Sequence, residues 1–305
     1  MADLLRELRW EINKVIKGKS DVVDKVLCAM LAGGHILLED IPGVGKTTLA
    51  MMIARVMDLT CRRVQFTPDV LPSDIVGFSM FNNKTKEFEY RAGAIMANLF
   101  LADEINRTSP KTQSALLEAM EEEKVTVDGV VHPLPHPFTV IATENPFGSS
   151  GTQMLPESQL DRFMVCLSMG YPAHDDAVEI LKNDGAKSLV QTDVVLTKED
   201  WTAYRERAEK CFVSDEIYDY LVRLTEATRQ NPYVALGASP RASIALLRMS
   251  RAMAVMQGRD YVVPEDVQMV YHDVFGHRVK PGTAAKAEGI EVSEILDRVF
   301  REVKV

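Results

Sequence analysis

The stretch HILLEDIPGVGKTT, from His35 to Thr48, has the residue types and spacing needed to hold a polyphosphate. It reads as a short apolar strand, a glycine-containing turn and the start of a helix, which is the layout of a phosphate-binding loop. Glycines let the backbone N–H groups of Gly43, Val44 and Gly45 approach an anion closely, and the helix start adds positive potential. The stretch therefore predicts a site for nucleotide phosphates.

Two side chains directly after the turn suit the same ligand. Lys46 would reach the β and γ phosphates, and the Thr47 hydroxyl would hold Mg²⁺. Asp40 departs from the general pattern G-x-x-x-x-G-K-[ST], because it stands where the first glycine is expected. Aspartate tolerates unusual backbone angles better than most residues, so the turn remains possible. The alternative is a glycine turn that caps a helix without binding anything; a second motif downstream favours the phosphate site.

That second motif is the pair Asp103-Glu104, whose aspartate ends the largely apolar run NLFLAD. An apolar run of this length predicts a strand that is buried on both faces in a parallel sheet. At the carboxyl end of such a strand, Asp103 could organise Mg²⁺, while Glu104 could orient and polarise a water molecule that attacks the γ phosphate. A pair of acids in a solvated loop is the ordinary alternative, but the phosphate loop in the same chain favours hydrolysis.

Asn145 ends another apolar stretch, in IATENP. Its amide could hold the attacking water opposite Glu104. Because Pro146 follows, an ordinary Asn-Pro turn is the alternative.

Two arginines could supply positive charge to the γ phosphate during hydrolysis, namely Arg162 in LPESQLDRF and Arg241 in GASPRA. Spacing alone does not place either of them. Each could instead pair with a surface acid, which is the commoner fate of an arginine.

A segment before the phosphate loop often packs on the base in nucleotide-binding folds. Val15, Ile16 and Gly18 could therefore line an adenine pocket. Plain core packing explains the two apolar residues equally well.

Strands and helices alternate through the first part of the chain, which predicts a three-layer α/β domain. Amphipathic spacing gives a first helix around Leu4–Val15 and a second over 21–31, and a third helix follows the phosphate loop over 46–57. Further strands are expected at 62–66, 98–103, 138–143 and 162–167, with a helix over 110–123. A hairpin with an Asp128-Gly129 turn is expected within 124–137. Residues 67–98 are read as loop and turn, followed by a hairpin or short helix around 87–96.

No strand is predicted after Pro172, where helical patterns dominate. The expected helices cover 175–182, 198–211, 215–228, 240–257, 264–271 and 293–303, with Ser239 and Ser293 as N-caps. The chain thus divides into a nucleotide-binding core over 1–196 and a small all-helical domain over 197–305, with a linker near 183–197.

Composition is that of an ordinary globular protein. The chain has 305 residues, with 35 basic and 44 acidic side chains and a net charge of -9. Without a Lys/Arg-rich block, a general nucleic-acid surface is not favoured, although a local basic channel in an assembly stays open. Four widely spaced cysteines without a CxxC pair fit reduced thiols in a cytoplasmic protein. No secretory signal or membrane-spanning run is evident, so a soluble protein without membrane insertion is expected.

Taken together, these motifs resemble the MoxR family of AAA+ ATPases. The blocks that carry the resemblance occur in the family's order over nearly the whole chain: LLEDIPGVGKTTLA, RVQFTPDVLPSDIVGF, LFLADEINRTSPKTQSALLEAMEE, KVTVDGVVHPLPHPFTVIATENP, LPESQLDRF and GASPRA. Asp40 is similar to what the family carries at that position. The family's sensor segment more often reads ATQNP, so Glu144 is a small departure beside the retained Asn145.

The resemblance implies an AAA+ core whose five parallel strands have the order 5-1-4-3-2, followed by a helical lid, in a ring that is expected to be a hexamer. It implies Walker A at Gly43 to Thr48, Walker B at Asp103-Glu104, sensor 1 at Asn145, an arginine finger at Arg162 and sensor 2 at Arg241. The expected contacts to ATP come from Val15, Ile16, Gly18, Pro42, Gly43, Val44, Gly45, Lys46, Thr47 and Thr48, and those to Mg²⁺ from Thr47 and Asp103. Whether Arg241 acts on its own subunit's nucleotide or on a neighbour's stays open.

The resemblance further assigns the segment around 88–94 to the helix-2 insert and 124–137 to the pre-sensor hairpin, both directed to the pore of the ring. It implies a chaperone that matures or remodels protein complexes, often alongside proteins with von Willebrand factor A domains. Two other functions remain open from the residues. One is a nucleic-acid motor, against which the acidic balance counts; the other is a nucleotide-switched scaffold that barely hydrolyses.

Overall fold

Apolar runs of the sequence form the buried strands of the protein. A computed structural model describes residues 2–41, 43–145, 154–182 and 192–304. Its strands, in chain order, are β1 (Ile36–Glu39), β2 (Cys61–Gln65), β3 (Gly77–Asn82), β4 (Glu87–Ala92), β5 (Leu99–Asp103), β6 (Lys124–Val127), β7 (Val130–Pro133), β8 (Thr139–Glu144), β9 (Val165–Leu167), β10 (Val234–Leu236) and β11 (Lys280–Pro281). Every residue of β5 and β8 is buried, as their composition predicts.

Helices connect these strands and make up most of the C-terminal part. In chain order they are α1 (Ala2–Val15), α2 (Ser20–Leu31), α3 (Lys46–Val56), α4 (Pro72–Val76), α5 (Pro110–Glu122), α6 (Glu157–Leu160), α7 (His174–Lys182), α8 (Lys198–Glu209), α9 (Asp215–Gln230), α10 (Pro240–Met256), α11 (Pro264–Phe275), α12 (Thr283–Glu288) and α13 (Val292–Glu302).

Five strands form one parallel sheet in the order β2-β5-β8-β1-β9. When these strands are counted along the chain, the order is the expected 5-1-4-3-2, so the prediction is confirmed. Polar residues end four of them, and the pairing register places Glu39 opposite Glu144 and Gln65 opposite Asp103. Because parallel strands point the same way, their polar ends share one edge of the sheet.

Alternation along the strands fills a core on each face of the sheet. Leu99 and Leu101 pack in the cluster that contains α1, α2 and α3, whereas Phe100 and Ala102 pack in the cluster with α5. Successive side chains of a strand point to opposite faces, so an apolar run needs cover on both sides. The result is the three-layer arrangement that the sequence predicts.

Two antiparallel hairpins stand outside the sheet. The first pairs β3 with β4, and the preceding segment, expected to be loop and turn, contains the short helix α4 with Pro72 at its start. Of the two alternatives predicted around residues 87–96, a hairpin or a short helix, the structure has the hairpin. The second pairs β6 with β7 around Asp128 and Gly129, which have φ angles of 50° and 80° and so form the expected hairpin turn.

The C-terminal part is helical as predicted, with two local corrections. The prediction of no strand after Pro172 was wrong, because β10 and β11 pair antiparallel; segments this short gain their pairing from tertiary packing and leave no pattern in the sequence. The prediction of a cap at Ser293 was also wrong, because helix α13 already begins at Val292 after Glu291. Ser239 does cap α10, since its side chain accepts a hydrogen bond from the amide of Ala242.

The C-terminal helical part packs against the preceding part of the chain through α10 on α2 and α11 on β9. Its boundary at 196/197 stays a prediction, and most of the expected linker lies outside the described residues. All four cysteines are free, with Cys28 and Cys211 buried and the other two half-buried. Within the described ranges, no helix is both long and apolar enough to cross a membrane.

At the base of the first hairpin, the backbone at Gly93 lies very close to the backbone of Ile75 and Gly77. A substitution at Gly93 tests this packing. A Cβ at Gly93 would lie 2.1 Å from the carbonyl oxygen of Ile75 and 2.4 Å from the amide nitrogen of Gly77. Gly93→Ala should therefore lower the free energy of unfolding by ~2 kcal/mol or more, because the backbone cannot yield as a side chain can. Thermal unfolding measures the effect. The exposed neighbour Ala92→Ser is the matched control, and equal stability of the two variants would contradict this packing.

Candidate active site

The turn between β1 and α3 forms an open cradle at the carboxyl edge of the sheet. Gly43 and Gly45 have φ angles of 87° and 97°, which L side chains rarely adopt. A Cβ at Gly43 would meet nothing within 4 Å, and one at Gly45 would meet only the Met169 methyl group at 3.9 Å. The glycines are thus required by backbone conformation, and the space in front of them remains free for a ligand. Pro42, which is predicted to contact ATP, lies outside the described residues.

Lys46 begins α3 and points into this region. Its ammonium donates a hydrogen bond of 2.8 Å to the carbonyl oxygen of Asp40, and the residue is only 9% exposed. Burial lowers the pKa of Lys46, while the charges of Asp40, Asp103 and Glu104 act in the opposite direction. A buried cation that is held by one neutral carbonyl is suited to bind an anion.

The contacts of Asp40 explain why an aspartate stands where the general loop pattern has its first glycine. The carboxylate oxygen Oδ2 accepts hydrogen bonds from the amides of Met169, at 2.5 Å, and Gly170, at 2.8 Å, and from the Ser168 hydroxyl at 3.3 Å. These bonds tie the end of β1 to the chain that follows β9. A glycine would leave the two amides without this acceptor, so the aspartate has a structural role that glycine cannot fill.

A cleft of about 330 Å³ opens beside the loop. It brings together most of the residues that the sequence predicts for phosphate chemistry. Its lining consists of Gly43, Gly45, Lys46, Thr47, Thr48, Arg63, Gln65, Asp103, Glu104 and Asn145.

Asp103 is held on both carboxylate oxygens. Oδ1 accepts from the Thr143 hydroxyl at 2.6 Å, and Oδ2 accepts from the Arg63 guanidinium at 2.7 Å. The sequence analysis missed both partners. Arg63 lies on an edge strand, where polar residues are common, and Thr143 is a buried residue of β8 whose hydroxyl has no sequence signature.

Glu104 has a left-handed backbone with a φ angle of 56°, which is uncommon for a side chain of this size. Its amide donates to the Thr143 hydroxyl at 2.8 Å, so one threonine fixes both members of the acid pair. The carboxylate pairs with Arg107 at 2.7 Å. Strained backbone of this kind persists where surrounding contacts hold it, often at functional positions.

Asn145 follows β8 at the same edge. The buried side chain of Asn106, another residue that the sequence analysis missed, donates to the carbonyl oxygen of Asn145 at 3.3 Å. This bond connects the segment after the acid pair to the end of the neighbouring strand, and it sets the backbone from which the Asn145 amide projects.

These residues fit a magnesium nucleotide. Thr47 and Asp103 offer the oxygen ligands that Mg²⁺ prefers, and the ion usually takes its remaining ligands from water and phosphate. Across the described parts of the chain, no cluster of three or more His, Cys, Asp or Glu residues could hold a metal by itself. The site is therefore suited to an ion that arrives with a nucleotide.

A second cleft, of about 280 Å³, also borders the loop, at Gly43, Gly45 and Thr48. Val15 and Ile16 line it together with Val44 and Thr48, as expected for a base pocket. Gly18 does not line this cleft. Its φ angle is 66°, and a Cβ there would lie 1.9 Å from the carboxylate of Asp176, so Gly18 serves the contact between the turn after α1 and helix α7.

Arg162 and Arg241 lie elsewhere. Arg162 precedes β9, whose first residue Val165 pairs with Ile36 at the beginning of β1, whereas the phosphate loop follows the end of β1. A strand of this length separates the two edges by roughly 13 Å. Both arginines line a cavity of about 210 Å³ at the amino edge, and both pair there with Glu121. One chain alone does not bring them to Lys46 and Glu104.

Glu144 carries the most perturbed carboxyl group near the site. It is 1% exposed and lies opposite Glu39 on the next strand. Burial raises the pKa of Glu144 to about 7, and the charge of Glu39 adds to the shift, while the Leu155 backbone and Lys280 oppose it. A glutamine at this position would be an uncharged isostere of the protonated acid.

Comparison with known proteins agrees with this geometry. The profile described as "ATPase family associated with various cellular activities (AAA)" matches residues 35–165, and the AAA lid domain matches residues 226–299. The putative ATPase from Cytophaga hutchinsonii superposes with a TM-score of 0.92 at 37% identity, covering 99% of this chain and 95% of that one. The fold and the site therefore define an AAA-type ATPase core with its lid.

Relatives narrow the class further. The chain is 40% identical to Chaperone MoxR1 of Mycobacterium tuberculosis, over 96% of this chain and 80% of the relative. It is 48% identical to the uncharacterized protein YeaC of Bacillus subtilis strain 168, over 99% and 95%. The chain belongs to the MoxR family of AAA+ ATPases, which confirms the resemblance seen in the motifs.

The raised pKa of Glu144 predicts a pH-dependent stability. Below pH 4.5 the carboxyl is protonated in both folded and unfolded chains; as pH rises from 4.5 to about 7, only the unfolded chain ionises, so stability falls. Glu144→Gln should remove this loss, which amounts to about 1.4 kcal/mol per pKa unit and hence about 3 kcal/mol in full.

Denaturant unfolding of both proteins between pH 4.5 and 8 checks the prediction. The readout is the slope with pH, because burial of the amide can shift stability by a constant amount. Glu118→Gln, at an exposed position of α5, is the control. Parallel stability curves for Glu144→Gln and the unsubstituted protein would contradict the assignment.

Proposed function

We propose that this protein hydrolyses ATP at sites shared between adjoining copies in a hexameric ring, and that it uses the energy to remodel or mature protein complexes. The observation that carries the proposal is the division of the predicted machinery between two edges of one sheet. The acid pair, Lys46 and Asn145 lie at the carboxyl edge, and Arg162 and Arg241 lie at the amino edge. A ring supplies the second edge from a neighbour.

Each residue then has a defined task. Lys46 binds the β and γ phosphates, and Glu104 leaves Arg107 to orient the attacking water and take its proton, with Asn145 holding the water from the other side. Thr47 and Asp103 would hold Mg²⁺, which neutralises charge on the phosphates when bound. Arg162 of the neighbouring copy stabilises the charge that develops on the γ phosphate. Because Arg241 pairs with the same Glu121, we propose that it also acts on the neighbour's nucleotide.

Two observations support the proposal that the protein acts on a protein client. One relative bears the name Chaperone MoxR1. The first hairpin exposes aromatic side chains: Phe88 is 74% exposed and stacks edge-to-face with the exposed Phe81. Exposed aromatic residues of this kind suit contact with an apolar polypeptide. By the family resemblance, complexes that involve von Willebrand factor A domains are the first candidates.

Substitutions at the carboxyl edge should separate binding from turnover. Lys46→Ala should weaken ATP binding about tenfold or more, because a charged hydrogen bond to phosphate is lost. Glu104→Gln should still bind ATP but turn over about a hundredfold or more slowly, since the amide cannot take a proton.

Nucleotide titration and steady-state phosphate release measure these effects. Lys111→Ala, at an exposed position of α5, controls for loss of a surface cation. Normal turnover by Glu104→Gln would reject its role, and negligible turnover by the unsubstituted protein with and without a client would favour the scaffold alternative.

Mixing inactive variants tests whether Arg162 acts between copies. Lys46→Ala and Arg162→Ala should each be inactive, but in mixed rings roughly a quarter of the interfaces would join a sound loop to a sound arginine. Phosphate release should therefore reappear on mixing.

The control replaces Lys46→Ala with a chain that carries both substitutions, which can donate neither part. Absence of recovery, with assembly verified by sedimentation, would show that Arg162 does not act across the interface.

A further inference from the structure

Glu121, in the last turn of α5, holds the two arginines of the amino edge together. The guanidinium of Arg241 pairs with Oε1 of Glu121, and that of Arg162 lies 3.3 Å from Oε2. Each oxygen of this one carboxylate thus pairs with a different guanidinium. The arrangement brings two cations to the same point, where a single oxyanion could contact both.

Without a carboxylate, this convergence is electrostatically unfavourable. Two guanidinium groups repel, and Arg241 stands in the first turn of α10, where the helix dipole also disfavours a cation. A third arginine lies close enough to feel Arg241, because burial and then the charge of Arg241 lower the pKa of Arg278. The negative charge of Glu121, which belongs to α5, offsets both the repulsion and the effect of the helix dipole.

The backbones that carry the two arginines are fixed by a buried network. Arg278, which is buried, donates to the Asp161 carboxylate at 2.7 Å and to the carbonyl oxygens of Phe163 and Met164 at 2.6 and 3.0 Å. The same carboxylate accepts from the hydroxyl of Ser239, the N-cap of the helix that carries Arg241, at 3.1 Å. The network sets where the two side chains start, and Glu121 sets where their charged ends meet.

The pairing leaves the arginines able to bind a phosphate. Each guanidinium has five N–H donors, and the pairing with Glu121 occupies one terminal nitrogen of each. Both groups are partly exposed, so their remaining donors are available to a phosphate while the carboxylate holds them.

We propose that Glu121 is a positioning residue for the shared site: it aligns Arg162 and Arg241 of its own chain for the γ phosphate bound by the next copy. The inference rests on the function proposed above and adds a residue to the donor side of the interface. Because the pairs are half-exposed, their contribution to folding is small, and the effect falls on catalysis.

The test is Glu121→Gln, which keeps the shape and removes the charge. Its matched control is Glu122→Gln, the next residue, which pairs with Lys124 at 3.1 Å outside this cluster. Glu121→Gln should lower kcat about tenfold with KM within about twofold, because the arginines are misplaced in the transition state while the loop still binds ATP. Glu122→Gln should behave as the unsubstituted protein does.

Mixing distinguishes positioning from a general structural defect. Glu121→Gln has a sound loop and impaired arginines, so activity should rise when it is mixed with Lys46→Ala and should not rise when it is mixed with Arg162→Ala. Glu121→Asp, which keeps the charge but is one methylene shorter, should show a smaller loss with the same mixing pattern, and it serves as the second variant if Glu121→Gln unfolds.

Unchanged kcat in Glu121→Gln, or recovery with Arg162→Ala, would overturn the inference while leaving the shared site intact. Failure of the Lys46→Ala and Arg162→Ala mixture would remove the shared site and this inference together, so the two failures are distinguishable.

Discussion

The polarity of the parallel sheet is the constraint on which the rest of the structure depends. All five strands end at one edge, so the phosphate loop after β1, the acid pair at the end of β5 and Asn145 after β8 converge there without long connections. The same polarity sends the segment before β9, which carries Arg162, to the opposite edge. Within one chain, Lys46 and the acid pair therefore lie at the edge opposite to Arg162.

Single polar side chains adjust that frame at the points where chemistry needs precision. The carboxylate of Asp40 ties the end of β1 to the chain after β9, and the hydroxyl of Thr143 binds both Asp103 and the amide of Glu104. Buried polar contacts of this kind are costly to leave unpaired, so each one fixes a backbone position firmly. These bonds hold the loop and the acid pair in position within the fold.

The buried strands and the turn of the phosphate loop could be predicted from the sequence. Apolar runs such as NLFLAD form buried strands, and glycines allow the backbone angles that such a turn needs. The sheet order came from the family resemblance, not from periodicity. Arg63, Thr143 and Asn106 could not be predicted, since their partners lie far along the chain and depend on register between strands. The β10–β11 pair was missed because short strands owe their pairing to tertiary contacts.

The stacking of Tyr90 on His132, with ring centroids 3.7 Å apart, has a mechanical meaning. It clasps the two projecting hairpins together, although they are far apart along the chain. The second hairpin follows directly from α5. The stack therefore connects the exposed aromatic side chains of the first hairpin with the acidic end of that helix. A displacement of the first hairpin would therefore be transmitted through this stack to the second hairpin and to the end of α5 that carries Glu121.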